Sequence, residues 1–238
     1  MSSAEVEPRF TLGSRSQPGA DDKKLVIGSL QANGPTFDKA FTSLRSRVSN
    51  AIQTMSSNPT NVVDDSQEVM FRTAGTLFTI SLNYIQIIEY RFLKIDYESK
   101  VDWCIKTDYL RCNAEFHGNE RRDFVFLNHP RIGDKFGRLV LIFTCRVDSY
   151  DYPLALVQML EPGSRNSEVR RVDKSLSIYR YHMQPRNRCE VIPLDWIVRG
   201  ALFVADPKYA GDYFLIDTVD SDMYLRVMET RRRQGLFC

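Results

Sequence analysis

Three side chains in the segment 116–123 are of the types that a metal-dependent nuclease uses. His117, Glu120 and Asp123 are close in sequence, and carboxylates that converge on Mg²⁺ beside a histidine can activate a water for attack on a phosphodiester. The Glu-x-Lys motif that restriction-type nucleases place on a neighbouring strand is absent from the strand that follows. A metal-dependent or degenerate nuclease centred on these three residues is therefore one interpretation, and a salt-bridged turn is another.

A zinc site is a second candidate for metal chemistry. Cys104, Cys112, His117 and His129 are separated by seven, four and eleven residues, so the tight Cys-x₂₋₄-Cys spacing typical of structural zinc sites is missing. We expect no metal and no cofactor. The chain has five cysteines, an odd number, and no apolar N-terminal run of the signal-peptide kind. We therefore expect reduced thiols and an intracellular location.

The sequence offers a basic surface more clearly than a catalytic one. Residues 165–188 contain seven basic and two acidic side chains, and residues 226–238 contain four basic and one acidic. The formal net charge of the whole chain is only +2, so the remainder is acidic. This uneven distribution predicts an anionic partner, although a solvated charged loop would look the same.

Aromatic and arginine side chains alternate between Tyr179 and Arg188. Arginines can pair with phosphates while tyrosines stack on bases, or the aromatic rings could enclose a methylated lysine. A strand with exposed arginines and half-buried tyrosines has the same pattern. The predicted aromatic contacts are Tyr179 and Tyr181, and the predicted nucleic-acid contacts are Arg165, Arg170, Arg171, Lys174, Arg180, Arg186, Arg188, Arg231, Arg232 and Arg233.

A helix is predicted at about residues 36–56. Apolar residues recur there at helical spacing, Thr36 can cap the start, and Asn58-Pro59 would end it. The helix could serve a protein–protein adaptor as a docking surface. An amphipathic helix more commonly packs on its own domain, so that interpretation is favoured here.

Strand-length apolar runs dominate the rest of the chain. Phe124–Leu127, Arg138–Val147 and Leu154–Leu160 predict strands, the last two as a hairpin, and short runs continue through 222–228. We expect Gly133–Gly137 to form a hairpin turn and 161–174 to form a long charged loop. Residues 69–95 fit helix and strand equally.

These patterns predict an α+β protein that is mainly antiparallel β, with a small β-barrel or sandwich. The expected organisation is a disordered leader over 1–35 and a helical or mixed extension over 36–89. A barrel-like domain follows over 90–228, with a basic tail over 229–238.

Several motifs between about residues 95 and 228 resemble the C-terminal region of fungal transposon-encoded proteins of the Kyakuja-Dileera-Zisupton and Plavaka kind. They include Val101-Asp-Trp, Thr107-Asp-Tyr-Leu-Arg-Cys112, Arg122-Asp-Phe-Val-Phe-Leu127, Ile197-Val-Arg-Gly-Ala-Leu-Phe-Val204 and Asp220-Ser-Asp-Met-Tyr-Leu-Arg226. In such proteins an acidic-triad recombinase core lies upstream of this region. The resemblance therefore implies a detached or truncated accessory domain.

A looser resemblance is architectural. The order Tyr179-Arg-Tyr181, Glu190-Val-Ile-Pro193, Ile197 to Val204 and Tyr213-Phe-Leu215 is similar to that of bromo-adjacent homology (BAH) domains, which are β-barrel interaction modules of chromatin proteins. A shared fold does not fix a ligand. From the charge distribution and the first resemblance, we expect a non-catalytic, transposon-derived binding module. We expect it to be nuclear and to contact DNA or chromatin through its basic face, without a membrane or a small-molecule cofactor.

Overall fold

The structure is a computed structural model. It describes residues 10–12, 25–26, 38–55, 68–73, 76–81, 86–147, 150–163, 167–176 and 178–233.

Three helices and sixteen strands are defined within those residues. The helices are α1 (Leu44–Met55), α2 (Ser167–Ser175) and α3 (Ser221–Arg233). The strands are β1 (Phe10–Leu12), β2 (Leu25–Val26), β3 (Glu68–Thr73), β4 (Thr76–Ser81), β5 (Gln86–Tyr90), β6 (Phe92–Glu98), β7 (Ile105–Phe116), β8 (Asn119–Arg122), β9 (Phe124–His129), β10 (Gly133–Val147), β11 (Tyr150–Pro162), β12 (Arg180–Met183), β13 (Glu190–Pro193), β14 (Ile197–Ala201), β15 (Phe203–Ala205) and β16 (Asp212–Leu215).

The strands are paired antiparallel throughout the described residues. A ten-stranded sheet follows the order β14-β9-β10-β11-β12-β16-β15, while β13 also pairs with β11, β5 with β10, and β2 with β5. A four-stranded sheet has the order β1-β6-β7-β8, and β3 pairs with β4 alone. The α+β class with mainly antiparallel β structure is thus confirmed, and residues 69–95 contain strands.

The two ends of the large sheet are neighbours in the chain. β14 lies at one end of the strand order and β15 at the other, yet only Leu202 separates them. The sheet must therefore curl, so that β9 and β16 approach the same stretch of backbone from two sides. This curl encloses an apolar cluster that includes Phe126, Phe136 and Phe203.

Helix α1 confirms the predicted helix but begins later than expected. Residues 39–41 form one 3₁₀ turn, and Ser43 has a positive φ of 54°, so the α-helix starts at Leu44. Leu44, Val48 and Ile52 are fully buried against strands β5, β10, β11 and β13. The apolar face of α1 is therefore part of the core.

Strand β10 is buried on both faces because layers cover it on two sides. Leu141, Phe143 and Cys145 pack under α1, whereas Leu139 and Ile142 pack against β6, β7 and β9 on the other face. Regular strand alternation would place Leu139 and Leu141 on the same face, but they lie on opposite faces. A register shift between these two residues in the β10–β11 ladder reverses the alternation, as a β-bulge does.

Several other predictions need correction. Gly133–Gly137 is not a turn but the first part of β10; Gly137 lies so close to β11 that a Cβ there would meet Val157 Cγ1 at 2.2 Å. The short apolar run at 222–228 is helical, in α3, and the predicted basic tail begins inside that helix. The predicted disordered leader contains β1 and β2, which pair with β6 and β5. Among the described residues, no helix has the length and apolar character needed to cross a bilayer.

Candidate nucleic-acid interface

Helix α2 lies inside the segment predicted as a charged loop. Val169, Val172 and Leu176 recur at helical spacing, and Glu168 in the first turn and Lys174 in the last turn both favour the helix dipole. Because the helix is short and mostly charged, its apolar spacing was too sparse to be recognised in the sequence. Val172 and Leu176 are 50% and 62% exposed.

Arg180, at the start of β12, is not part of an exposed surface. It is only 8% exposed; its Nε donates to Asp173 at 2.5 Å, and its Nη1 donates to Asp206. The Asp212 carboxylate lies 3.7 Å from Nη1, and the Phe214 ring centre lies 4.4 Å from the guanidinium carbon. The hydrogen bond to Asp173 raises the pKa of Arg180. This guanidinium is fully engaged, so its prediction as a nucleic-acid contact is wrong.

Tyr181 is also engaged within the protein. Its ring centre lies 5.2 Å from that of Phe136 and 5.5 Å from that of Phe203, both in edge-on contacts. Burial raises the pKa of the Tyr181 hydroxyl. The ring belongs to the apolar cluster inside the curled sheet, so the prediction that it stacks on a base is wrong.

Arg186 and Arg188 lie away from α2. They form a 3₁₀ turn, and Arg186 pairs with Asp38, which lies just before α1. Burial alone would raise the pKa of Asp38, but the hydrogen bonds from Arg186 and from the Ala40 amide and the nearby positive charges together outweigh it, so the pKa is lowered. Arg188 is exposed. These two arginines thus lie beside the start of α1 and not with the other predicted contacts.

Tyr179 follows helix α2 closely in the chain and contacts the last turn of α3. The Ile178 amide donates to the Asp173 carbonyl at 2.9 Å, so the chain folds back directly after α2. The Arg231 guanidinium carbon lies 4.4 Å from the Tyr179 ring centre, and Arg231 is in the last turn of α3. Arg231 of α3 therefore packs on a half-buried tyrosine that follows α2 closely in the chain.

We group the basic residues at the ends of α2 and α3 with Tyr179 as the basic face and define it as Arg171, Lys174, Tyr179, Arg231 and Arg232. Arg171, Lys174 and Arg232 are exposed, and Arg231 is half-buried against Tyr179. Among the described residues, Arg171 and Arg232 have no ion-pair partner. Cations in this state can exchange counterions for phosphates without first losing an internal contact.

The remaining predicted contacts add less to this surface. Arg233, which follows Arg232, is paired with Glu229 and lies 3.4 Å from Asp134. Arg165 lies outside the described residues, as does the side chain of Arg170.

The nuclease candidates do not form a site. His117 occupies the tight β7–β8 turn with a φ of 50°, Glu120 pairs with Arg122, and Asp123 accepts from the Arg111 amide at 2.7 Å. Glu120 and Asp123 are three residues apart along extended chain, so they point to opposite faces. Among the described residues, no three His, Cys, Asp or Glu side chains are arranged to hold a metal ion.

The zinc candidates are separated in the same way. Cys112 is buried, and burial raises its pKa to about 12, while Cys104 is exposed. His129 packs edge-on against Trp196, with ring centres 4.6 Å apart. A zinc site needs ligands that converge and thiols that lose their protons readily. The buried Cys112 thiol, whose pKa is raised, does not lose its proton readily.

An ion-pair network joins three of the sequence motifs described above. Arg199 donates to Asp220 and to Asp222 at 2.7 and 2.6 Å, and Arg226 donates to Asp222 at 2.7 Å. The Asp108 carboxylate accepts from the Gly200 amide at 2.9 Å. The motifs at 107–112, 197–204 and 220–226 therefore join β7, β14 and α3. The Asp222–Arg226 spacing of four residues was the available signal for this helix.

Comparison with known proteins returned nothing for this chain. No family model matches it, and neither a curated protein nor a solved structure matches it.

Proposed function

We propose that the chain is a non-catalytic binding module that contacts nucleic acid through the basic face. The observation that carries this proposal is the contact between Arg231, in the basic last turn of α3, and Tyr179, which follows the basic last turn of α2 in the chain. The partner is DNA or DNA in chromatin, and the module works in the nucleus. Binding depends on the phosphate backbone more than on base sequence.

The chemistry of the basic face suits phosphates. Arg171 and Arg232 present exposed guanidinium groups, which bind phosphate oxygens through pairs of parallel hydrogen bonds. Arg231 is held over the Tyr179 ring, so part of its conformational freedom is already lost before binding. A side chain that is already ordered loses less conformational entropy on binding than one that rotates freely.

The two rival functions have weaker support. An adaptor that docks through α1 would need its apolar face, but Leu44, Val48 and Ile52 are fully buried within the chain. A nuclease would need His117, Glu120 and Asp123 to converge, and each has a different neighbour.

The proposal extends to architecture and origin. We propose that the large sheet forms a small BAH-like barrel, since its first and last strands are consecutive in the chain. The motifs shared with fungal transposon-encoded proteins support an origin as an accessory domain of such an element. In this proposal the ion-pair network of Arg199 preserves the fold, and the basic face binds the ligand.

The test is a comparison of two doubly neutralised proteins in binding to a fluorescent duplex. Arg171→Gln with Arg232→Gln removes two free cations from the basic face. Arg91→Gln with Arg146→Gln is the matched control, because both arginines are exposed and lie outside α2 and α3, and the exposed Arg146–Asp151 pair adds little stability. We expect about a tenfold loss of affinity for the first protein and less than about twofold for the control.

Equal losses in the two proteins would show that charge alone matters and would refute the basic face. Because Val172 and Leu176 are exposed beside it, anionic phospholipid vesicles form a second arm. Binding to vesicles without binding to DNA would also refute the proposal.

A further inference from the structure

A cleft that the basic face does not include lies beside helix α3, with Arg226 in its wall. It has a volume of about 730 Å³ and lies between the β6–β7 turn and the segment 195–198. Trp103 and Trp196 both line it, and these are the two tryptophans of the chain. Ile105, also in its wall, is 67% exposed. The cleft therefore combines aromatic and aliphatic walls with access to solvent.

Trp103 combines high exposure to solvent with a strained backbone conformation. It is 73% exposed and has a φ of 58°, a conformation that bulky side chains rarely adopt. Neither burial nor backbone preference explains a tryptophan at this position. Strained residues that their surroundings hold in place concentrate at binding sites.

The turn that carries Trp103 is fixed by its neighbours. The Trp103 amide donates to the Ser99 carbonyl at 2.9 Å, and the Lys100 amide donates to the Asp222 carboxylate of α3 at 2.6 Å. Lys100 also pairs with Glu229. The exposed indole is thus presented on a turn that is tied to a helix, so the wall of the cleft is formed before any ligand arrives.

The charges in the cleft are unbalanced. Its basic residues, Lys100 and Arg226, are neutralised by Glu229 and by Asp222 respectively. Its acidic residues include Glu98 and Asp195, which are exposed and have no ion-pair partner among the described residues. The uncompensated charge of this cleft is negative, opposite to that of the basic face.

We propose that this cleft binds a basic peptide segment of a partner protein, with a lysine or arginine side chain entering against the indole rings. The ring face of tryptophan is the strongest side-chain site for a cation, and unpaired carboxylates beside it add electrostatic attraction. Phosphates are repelled by the same carboxylates, so nucleic acid does not compete for it. The inference is independent of the basic face and of its ligand.

Tryptophan fluorescence tests the proposal directly, because both reporters line the cleft. The full chain is titrated with pentalysine and with pentaglutamate, neither of which absorbs where tryptophan does. We expect pentalysine to shift or quench the emission in a saturable way and pentaglutamate to leave it unchanged. Binding of pentaglutamate to the basic face would not move this signal, so the two sites are read separately.

Two variants locate the response. Trp103→Asn keeps the fold because asparagine tolerates a positive φ, and Trp196 remains as the reporter; we expect about tenfold weaker pentalysine binding. Glu98→Gln with Asp195→Asn should weaken binding to a similar degree. Glu89→Gln with Glu161→Gln is the matched control, since these exposed acidic residues do not line the cleft and should leave affinity unchanged.

The proposal is overturned if pentalysine leaves the emission unchanged. It is also overturned if the acid-to-amide variant binds as tightly as the original chain, or if the control loses as much. A fluorescence change that follows protein concentration without peptide would mean that a second copy fills the cleft, which contradicts a basic peptide as its occupant.

Discussion

At the residue scale, the structure differs most from the charge pattern of the sequence in the burial and pairing of the arginines. Between 165 and 188 the sequence predicts seven equivalent cations, whereas Arg180 is buried and Arg186 is paired with Asp38. Arg180 pairs with Asp173, Asp206 and Asp212, which only the fold brings together. A single sequence shows which residues are charged, but long-range pairing decides which charges remain free.

Loss of Arg180 should strongly destabilise the fold. Arg180→Met leaves three buried carboxylates without their shared cation, and breaking such a buried ion pair costs about 3–5 kcal/mol. Chemical denaturation should show this loss in the free energy of unfolding. Arg171→Met, an exposed control, should change stability by less than about 0.5 kcal/mol. A small effect for Arg180→Met would mean that the network contributes little.

The cysteines should differ in reactivity according to burial. Burial raises the pKa of Cys112 and Cys145 to about 12 and that of Cys189 to about 11, so their thiolate fraction at pH 8 is negligible. Cys104 is exposed. Iodoacetamide at pH 8, followed by peptide mass spectrometry, should label Cys104 in the native protein and the other three only after unfolding.

Because the pKa values of these thiols are raised in the folded chain, the free energy of unfolding depends on pH. Unfolding returns their pKa towards the ordinary thiol value of about 8.5. Between that value and the raised ones, the folded chain holds more protons than the unfolded chain, so stability falls as pH rises through this window. A native state whose stability stays constant from pH 8.5 to 11 would contradict this burial.

At the element scale, the spacing of apolar residues identified α1 but misassigned α3. Met223, Leu225 and Val227 alternate as in a strand, yet Leu225 is 39% exposed. The buried positions of the helix are Asp222, Met223, Arg226, Val227 and Thr230. That burial pattern has the helical period. The Asp220 carboxylate favours the helix over a strand, because it accepts a hydrogen bond from the Met223 amide at 2.7 Å and caps the start of the helix.

Helix α1 should act in folding and not in association. Leu44 is fully buried, so Leu44→Asp places a carboxylate in the core and should cost at least about 3 kcal/mol. Thermal denaturation should show a large decrease in Tm, while Ser46→Asp on the exposed side of the same helix should show little change. If Leu44→Asp kept its Tm but lost a partner or a dimer contact, α1 would be a docking helix.

At the scale of the whole molecule, the sequence predicts the fold class because most strands carry their own apolar pattern. The hairpin of β10 and β11 was predictable from Leu139 to Leu160, since both strands are long and bounded by polar turns. The curl of the sheet was not, because it depends on β14 and β15 pairing with different strands. The basic face also depends on tertiary contacts, although the charge excess that forms it is visible in the sequence.

Surfaces of opposite charge are formed by different residues of this molecule. The basic face carries Arg171, Lys174, Arg231 and Arg232, while Glu98 and Asp195 remain unpaired in the cleft of Trp103. Such a separation allows one chain to bind an anionic and a cationic partner at once. A peptide ligand of the cleft should therefore leave DNA affinity nearly unchanged.

The salt dependence of DNA binding by the unmodified chain tests most directly whether the basic face binds DNA. Four cations that replace counterions on duplex phosphates predict a slope of about −3 to −4 in a plot of log association constant against log salt concentration. Neutralising Arg171 and Arg232 should reduce that slope by about 2. A slope near zero, or a slope unchanged in the variant, would contradict binding through the basic face.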